Sequence, residues 1–310
     1  MIAVLGAFDG FHRGHQALLA TAERRAGQVE RGWGVVTFSR ERGSVLGRKG
    51  VRSLFTNREQ AILERYFRIP TVCRIDFTEE IASMTPTAFL DYMASAFGVD
   101  GIVVGRDFRF GKDRQGTADF LVSEGARRGW AVDIVPIRHT QAGVPICSTT
   151  VRNALAAGDM PYARELLGYP YFCASRVIHG NERGRKLGFP TANIEIPPEK
   201  VDLLQGVYAT IVRANGVWHV GAANVGDNPT FDDVRTTRFE VNLVDYRGDL
   251  YGSEIVVFLI ERVRDEVRFE TPEALTKQVR ADTERIVDLC GADLRRNRAF
   301  WEGFAGTLRA

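Results

Sequence analysis

Ile2-Ala3-Val4-Leu5-Gly6-Ala7-Phe8-Asp9-Gly10-Phe11-His12-Arg13-Gly14-His15 opens the chain as an apolar run, a glycine-rich turn and the approach to a helix-like stretch, Gln16-Ala17-Leu18-Leu19-Ala20. A short apolar run closed by glycine and followed by helical periodicity reads as a buried strand leading into a helix. The same rhythm repeats further along. Trp33–Phe38 is a second strand candidate, Ala61–Tyr66 reads as helix, Thr71–Ile75 as strand and Pro86–Phe97 as helix. Ile102-Val103-Val104 is a buried strand ending at Gly105, Phe120–Arg128 is helical, and Ala131–Pro136 is a further strand. Strands alternating with helices predict an α/β domain, with a parallel sheet covered by helices on both faces.

The rhythm changes after about Gly168. From Tyr171 onward β-rich runs dominate: Gly206–Val212, Val217–Val225, Thr237–Asp245 and Glu254–Val263, separated by glycine, proline and Asx turns. Short strands at this spacing predict an antiparallel β-barrel. A helical tail opens at Thr271-Pro272-Glu273, where threonine can cap and proline suits the first turn. The expected division is therefore 1–168 for the α/β domain and 169–310 for the barrel domain with its C-terminal helix.

Bulk properties agree with two globular domains. The chain has 310 residues, 45% of them hydrophobic and 26% charged, in the ordinary range for a globular protein. A formal net charge of +2 gives no argument for nucleic acid or a membrane surface as partner. Cys73, Cys147, Cys173 and Cys290 are scattered, with neither disulfide-framework nor zinc-ligand spacing. No leader pattern and no bilayer-spanning run is seen, so a cytoplasmic protein is expected. The sequence carries no signal of oligomeric state.

Chemistry concentrates in two segments. In Gly6–His15, two imidazoles flank Arg13-Gly14 where a strand ends and a helix begins. Glycine allows close backbone approach to a ligand, and a helix N-terminus offers unpaired N–H groups to an anion. Histidine can donate to phosphate oxygens and stabilise charge as a phosphoryl bond is exchanged. A glycine turn with two surface histidines is the ordinary alternative, and a metal pair a weaker one. The second segment is Gly180-Asn181-Glu182-Arg183-Gly184-Arg185-Lys186-Leu187-Gly188-Phe189-Pro190-Thr191-Ala192-Asn193. Its glycines and cations can close over phosphates, and Thr191 and Asn193 supply neutral oxygens suited to Mg²⁺. A basic surface loop is the alternative there.

The first segment resembles the His-x-Gly-His signature of the nucleotidyltransferase superfamily, in the form found in FAD synthetases. Two further runs carry the same resemblance: Val104-Gly105-Arg106-Asp107-Phe108-Arg109-Phe110-Gly111 and Ile146-Cys147-Ser148-Thr149-Thr150-Val151-Arg152. The second segment resembles riboflavin kinase. That likeness continues through Gly206–Ala209, Ala223–Gly226, Asn228–Phe231, Phe239–Asn242, Leu250–Gly252 and Arg264–Phe269. The chain is thus similar to bifunctional riboflavin kinase/FAD synthetases (FMN adenylyltransferases).

The resemblance implies a Rossmann-like nucleotidyltransferase domain followed by a riboflavin kinase barrel, with riboflavin, FMN, FAD, ATP and Mg²⁺ as substrates, products and cofactor. It implies that His12, His15 and Arg152 serve adenylyl transfer and that Gly6, Phe8, Asp9, Gly14, Ser148 and Thr149 bind ATP. Asp107, Phe108 and Asn224 are implied to bind flavin. In the kinase half it implies that Gly184, Arg185, Gly188, Thr191 and Asn193 bind ATP phosphates, that Thr191 and Asn193 hold magnesium, and that Glu240 is the general base. By pattern alone Glu240 is an outward-facing strand residue in Phe239-Glu240-Val241-Asn242.

Two places depart from the family pattern. Phe38-Ser39-Arg40-Glu41-Arg42-Gly43 lacks the family's two prolines, and Cys147 stands where serine or threonine is usual. A kinase with an inactive or altered N-terminal half, and a non-catalytic flavin-binding regulator, are the alternative functions.

Overall fold

The computed structural model describes residues 1–39, 52–179, 191–228 and 236–308. Contacts divide the chain into two compact units, residues 1–51 with 63–148, and residues 52–62 with 149–310.

The first unit is built on five parallel strands: β1 (Ile2–Leu5), β2 (Trp33–Phe38), β3 (Val72–Ile75), β4 (Gly101–Gly105) and β5 (Ala131–Val135). Their order in the sheet is β3-β2-β1-β4-β5. Every residue of β1 is buried, as is all of β4 but Gly105, which is why these strands read as unbroken apolar runs. Helix α1 (Arg13–Gln28) lays Leu18, Leu19, Ala22 and Ala26 on the buried side. After α2 (Asn57–Tyr66) and the short α3 (Glu79–Ser83), α4 (Pro86–Phe97) adds Phe89, Leu90 and Met93 to a core with Leu5, Val36 and Val104; α5 (Ala118–Arg128) adds Leu121. The expected parallel α/β architecture is the one found.

Strand order reverses at β1. The chain steps from β1 to β2 and β3 on one side, then returns to β4 and β5 on the other. In open α/β sheets such a reversal is where ligands bind, outside the carboxyl ends of the strands. Gly6–His12 leaves β1 there, and Arg106–Gly111 leaves β4.

The second unit is a closed antiparallel barrel in the order β10-β7-β6-β11-β8-β9. Its strands are β6 (Phe172–Ile178), β7 (Thr191–Glu195), β8 (Gly206–Ala214), β9 (Val217–Asn228), β10 (Thr236–Leu243) and β11 (Glu254–Arg264). Ahead of them come α6 (Ser148–Ala156) and α7 (Met160–Leu167), and after them α8 (Pro272–Arg296) and α9 (Arg298–Thr307). The helical tail begins where the sequence places it: Thr271 Oγ1 accepts from Ala274 N at 3.2 Å and Pro272 fills the first turn. Helix α8 covers β8, with Cys290 Sγ contacting Thr210 O at 3.4 Å, and all nine residues of β8 are buried. On β7 and β10 burial alternates, with Ala192, Ile194, Phe239 and Val241 inward and Thr191, Asn193, Glu240 and Asn242 only half-buried.

Compactness breaks at Ser148/Thr149, ahead of the 168/169 position at which the sequence changes rhythm. Helices α6 and α7 pack with the barrel, and Arg164 forms an ion pair with Asp293 of α8. Residues 52–62 join it as well. Ser53 N donates to Glu199 O at 2.7 Å, Val201 N to Ser53 O at 2.8 Å, and Tyr171 Oη to Leu54 O at 2.9 Å.

The helix expected from Ala61 starts at Asn57, because a reciprocal cap precedes it. Thr56 Oγ1 accepts from Glu59 N at 3.2 Å and Glu59 Oε2 accepts from Thr56 N at 2.8 Å. The other carboxylate oxygen of Glu59 accepts from Ala174 N at 2.7 Å and pairs with Lys200, both side chains fully buried. Lys200 Nζ also donates to Phe172 O at 3.1 Å and lies 5.4 and 5.1 Å from the ring centroids of Phe55 and Tyr171.

Two candidate active sites

The turn after β1 is forced into shape by buried rings. Phe8, Gly10 and Phe11 all have positive φ, at 46°, 85° and 38°. Left-handed backbone at a bulky residue costs on the order of 1–3 kcal/mol and persists only where surroundings hold it. Here Phe8 and Phe11 are wholly buried and stacked on each other, with ring centroids 5.5 Å apart and an interplanar angle of 19°. The turn delivers His12 to the N-cap of α1. Its Nδ1 accepts from His15 N in a long 3.4 Å hydrogen bond, so a neutral His12 keeps its proton on Nε2. The His12 and His15 rings stack with centroids 3.7 Å apart. The first turn of α1 contains no acidic residue. At such an N-terminus the helix dipole favours an anion.

Space is tight at Gly14. A Cβ there would stand 3.0 Å from His12 Nδ1 and 3.1 Å from the carbonyl oxygen of Ile146. Ser148 Oγ donates to the carbonyl of buried Asp9 at 3.0 Å. Of the residues expected to bind nucleotide in this half, Gly6, Phe8, Asp9, Gly14 and Ser148 thus meet His12 and His15 around one turn. Asp107 is exposed and Phe108 half-buried on the loop after β4, where Phe108 stacks on Phe110 with centroids 5.7 Å apart. Gly111 fixes the end of that loop, at φ 70°, with an added Cβ 2.9 Å from Pro86 N. Thr149 and Arg152 belong to the second unit; Thr149 is exposed, and Arg152 Nε donates to Arg52 O at 2.7 Å.

The second site is a row of side chains across the barrel's outer face. Glu240 of β10 is in register with Asn193 of β7 on one side and with Asn224 of β9 on the other. Asn242 is likewise opposite Thr191. Directly opposed residues have Cβ atoms about 4.5–5.5 Å apart, so one carboxylate lies between two amides, with a hydroxyl one step along the strand. The outward position of Glu240, its ordinary reading by pattern, is thus the position that aligns it with Asn193 and Asn224. Gly184, Arg185 and Gly188 lie outside the described residues, as do 40–43 of the first departure.

Sequence reasoning did not single out Glu59, Lys200, Gly226 or Glu266. A capping-box pattern at Thr56–Glu59 was available as a signal, whereas Gly226 and Glu266 are brought together only by the barrel.

Two family models match: FAD synthetase over residues 1–150 and riboflavin kinase over residues 167–290. The bifunctional riboflavin kinase/FMN adenylyltransferase of Listeria monocytogenes is 35% identical over 285 residues, covering 91% of this chain and 90% of that protein. The protein of the same name from Pseudomonas fluorescens is 36% identical over 282 residues, covering 91% and 90%. The chain belongs to this bifunctional family. Its fold is also similar to a crystal structure of a macrolide-efflux protein from Streptococcus pneumoniae, with TM-score 0.83, 32% identity and coverage of 91% of this chain and 92% of that one. Efflux is said of that protein. Among the described residues here, no helix is long and apolar enough to cross a membrane.

Proposed function

We propose that this family member carries out both reactions: riboflavin and ATP give FMN and ADP, and FMN and ATP then give FAD and pyrophosphate. The observation that carries the reading is the in-register row Asn193–Glu240–Asn224, on a chain whose two halves match the two enzyme families.

In the barrel, Glu240 accepts the proton of the terminal ribityl hydroxyl as its oxygen attacks the γ-phosphorus and ADP leaves. Phosphoryl transfer asks mainly for positioning and charge stabilisation, so one carboxylate beside neutral donors is sufficient protein chemistry. Thr191 and Asn193 would suit Mg²⁺, since they offer neutral oxygens two residues apart on one face of β7. Mg²⁺ when bound would supply positive charge to the phosphate oxygens. Gly184, Arg185 and Gly188 complete the proposed phosphate loop, and Asn224 contacts the flavin substrate.

In the α/β unit, FMN phosphate attacks the α-phosphorus of ATP and pyrophosphate leaves. His12 and His15 donate to oxygens that gain charge, and the N–H groups at the start of α1 add to them. Gly6, Phe8, Asp9, Gly14, Ser148, Thr149 and Arg152 are assigned to ATP, and Asp107 and Phe108 to flavin. We assign the functional domains to 1–168 and 169–310. The cytoplasm is the proposed location, supported by four free cysteines. Small molecules, not nucleic acid or membrane, are the proposed partners.

Chromatography of products from riboflavin, ATP and Mg²⁺ tests the proposal. Successive appearance of FMN and FAD is expected. FMN without FAD, from ATP or from CTP, would remove the second activity.

A further inference from the structure

Glu266, on the segment that follows β11, reaches back over the barrel's outer face. Asn224 Nδ2 donates to its Oε1 at 2.8 Å. A carboxylate accepts and does not donate, so the NH₂ end of the Asn224 amide must face Glu266 and Oδ1 must face the other way. That oxygen is buried, and no hydrogen bond to it is made within the described residues. Asn224 is the cross-strand neighbour of Glu240, so Oδ1 is an acceptor beside the proposed base.

An independent feature makes room for this contact. Gly226 lies two residues along β9 and therefore on the same face as Asn224. A Cβ there would stand 2.6 Å from Glu266 Oε1 and 2.9 Å from Oε2. Its backbone is not left-handed, so conformation does not call for glycine at 226; the space taken by the carboxylate does. The start of the segment is tied down by Arg264, whose Nε donates to Asp282 Oδ2 at 2.9 Å and whose Nη1 donates to Asp265 O at 2.8 Å. Its guanidinium is also 5.9 Å from the ring centroid of Phe269.

We propose that Glu266 is a positioning residue for riboflavin phosphorylation, fixing the Asn224 amide so that Oδ1 accepts a hydrogen bond from the polyol or ring N–H of the incoming flavin. This rests on the outer face being the riboflavin-phosphorylating site. Without Glu266 the amide can turn over and present NH₂ where an acceptor is needed. One lost or reversed hydrogen bond to substrate is on the order of a tenfold effect.

The test measures riboflavin KM, ATP KM and kcat, together with riboflavin affinity by quenching of its fluorescence. Glu266→Ala should raise riboflavin KM and Kd roughly tenfold while ATP KM stays within about twofold. Glu266→Gln keeps an accepting oxygen and should stay near wild type. Gly226→Ala leaves Glu266 in the sequence but displaces its carboxylate, so it should reproduce the Glu266→Ala pattern. Asn224→Asp opposes two carboxylates and should be worse than either; adding Glu266→Gln restores a donor–acceptor pair and should recover affinity. An unchanged riboflavin KM in folded Glu266→Ala, or no recovery in the double variant, overturns the proposal. Failure of the underlying site assignment looks different: folded Glu240→Gln would then still form FMN at the wild-type rate.

Discussion

The two candidate sites are built from different materials. In the α/β unit the proposed ligand-facing groups lie on turns at strand ends, and much of the proposed chemistry is backbone: a helix N-terminus, a strained turn and glycines with little space for a side chain. In the barrel the groups are side chains on the strands, ordered by cross-strand register. A turn site is fixed by the packing beneath it, so its weak points are Phe8, Phe11 and Gly14. A strand site is fixed by hydrogen-bonded register, so its weak points are the functional side chains and the supports that orient them. The units should therefore fail independently and in different ways.

The largest separation is expected from Glu240→Gln. It should lower FMN formation from riboflavin by about 10²–10⁴-fold, the usual contribution of a general base, while supplied FMN is still converted to FAD. Loss of both activities in folded protein would break the comparison. Glu59→Ala should act through stability instead, by leaving Lys200 buried without its carboxylate. A cost of about 3–5 kcal/mol is expected in the barrel unit, read from denaturant unfolding with tryptophan fluorescence. Lys200→Met should be milder, since the Glu59 carboxylate left behind keeps its hydrogen bonds from Thr56 N and Ala174 N; an equal loss would show that those two bonds do not compensate the buried charge.

His15→Ala is the mirror of Glu240→Gln. FAD formation from FMN should fall about 10²–10³-fold, as for removal of one donor to developing charge, with riboflavin phosphorylation intact. Gly14→Ala sharpens the contrast by adding only a methyl group. Its Cβ would crowd His12 and the Ile146 carbonyl, and roughly a tenfold loss in adenylyl transfer is expected from a displacement of that kind. A matching glycine effect in the barrel should appear at Gly226 as a change in riboflavin KM rather than in kcat.

Much of the fold was legible because local pattern and burial coincide. β1 and β4 are buried on both faces and read as apolar runs, and Thr271-Pro272 marks a helix start by cap chemistry alone. The start of α2 was misplaced because polar Asn57–Gln60 has no apolar periodicity. Its cap shows up at Thr56 and Glu59. The residues of the first site were legible as a contiguous motif, since a turn between a strand and a helix gathers neighbours in sequence. The Asn193–Glu240–Asn224 row was legible only as scattered matches to a family.

By itself the sequence determined an α/β half followed by a β-rich half, the turn that carries His12 and His15, and the strand that carries Glu240. These follow from periodicity, glycine placement and motif, all short-range properties of the chain. Tertiary structure decided that residues 52–62 belong with the barrel, that Lys200 finds Glu59, and that Glu266 meets Asn224 over Gly226. The physical reason is that register, ion pairing and close approach are relations between residues far apart in sequence, and they exist only once strands are paired and the core is closed.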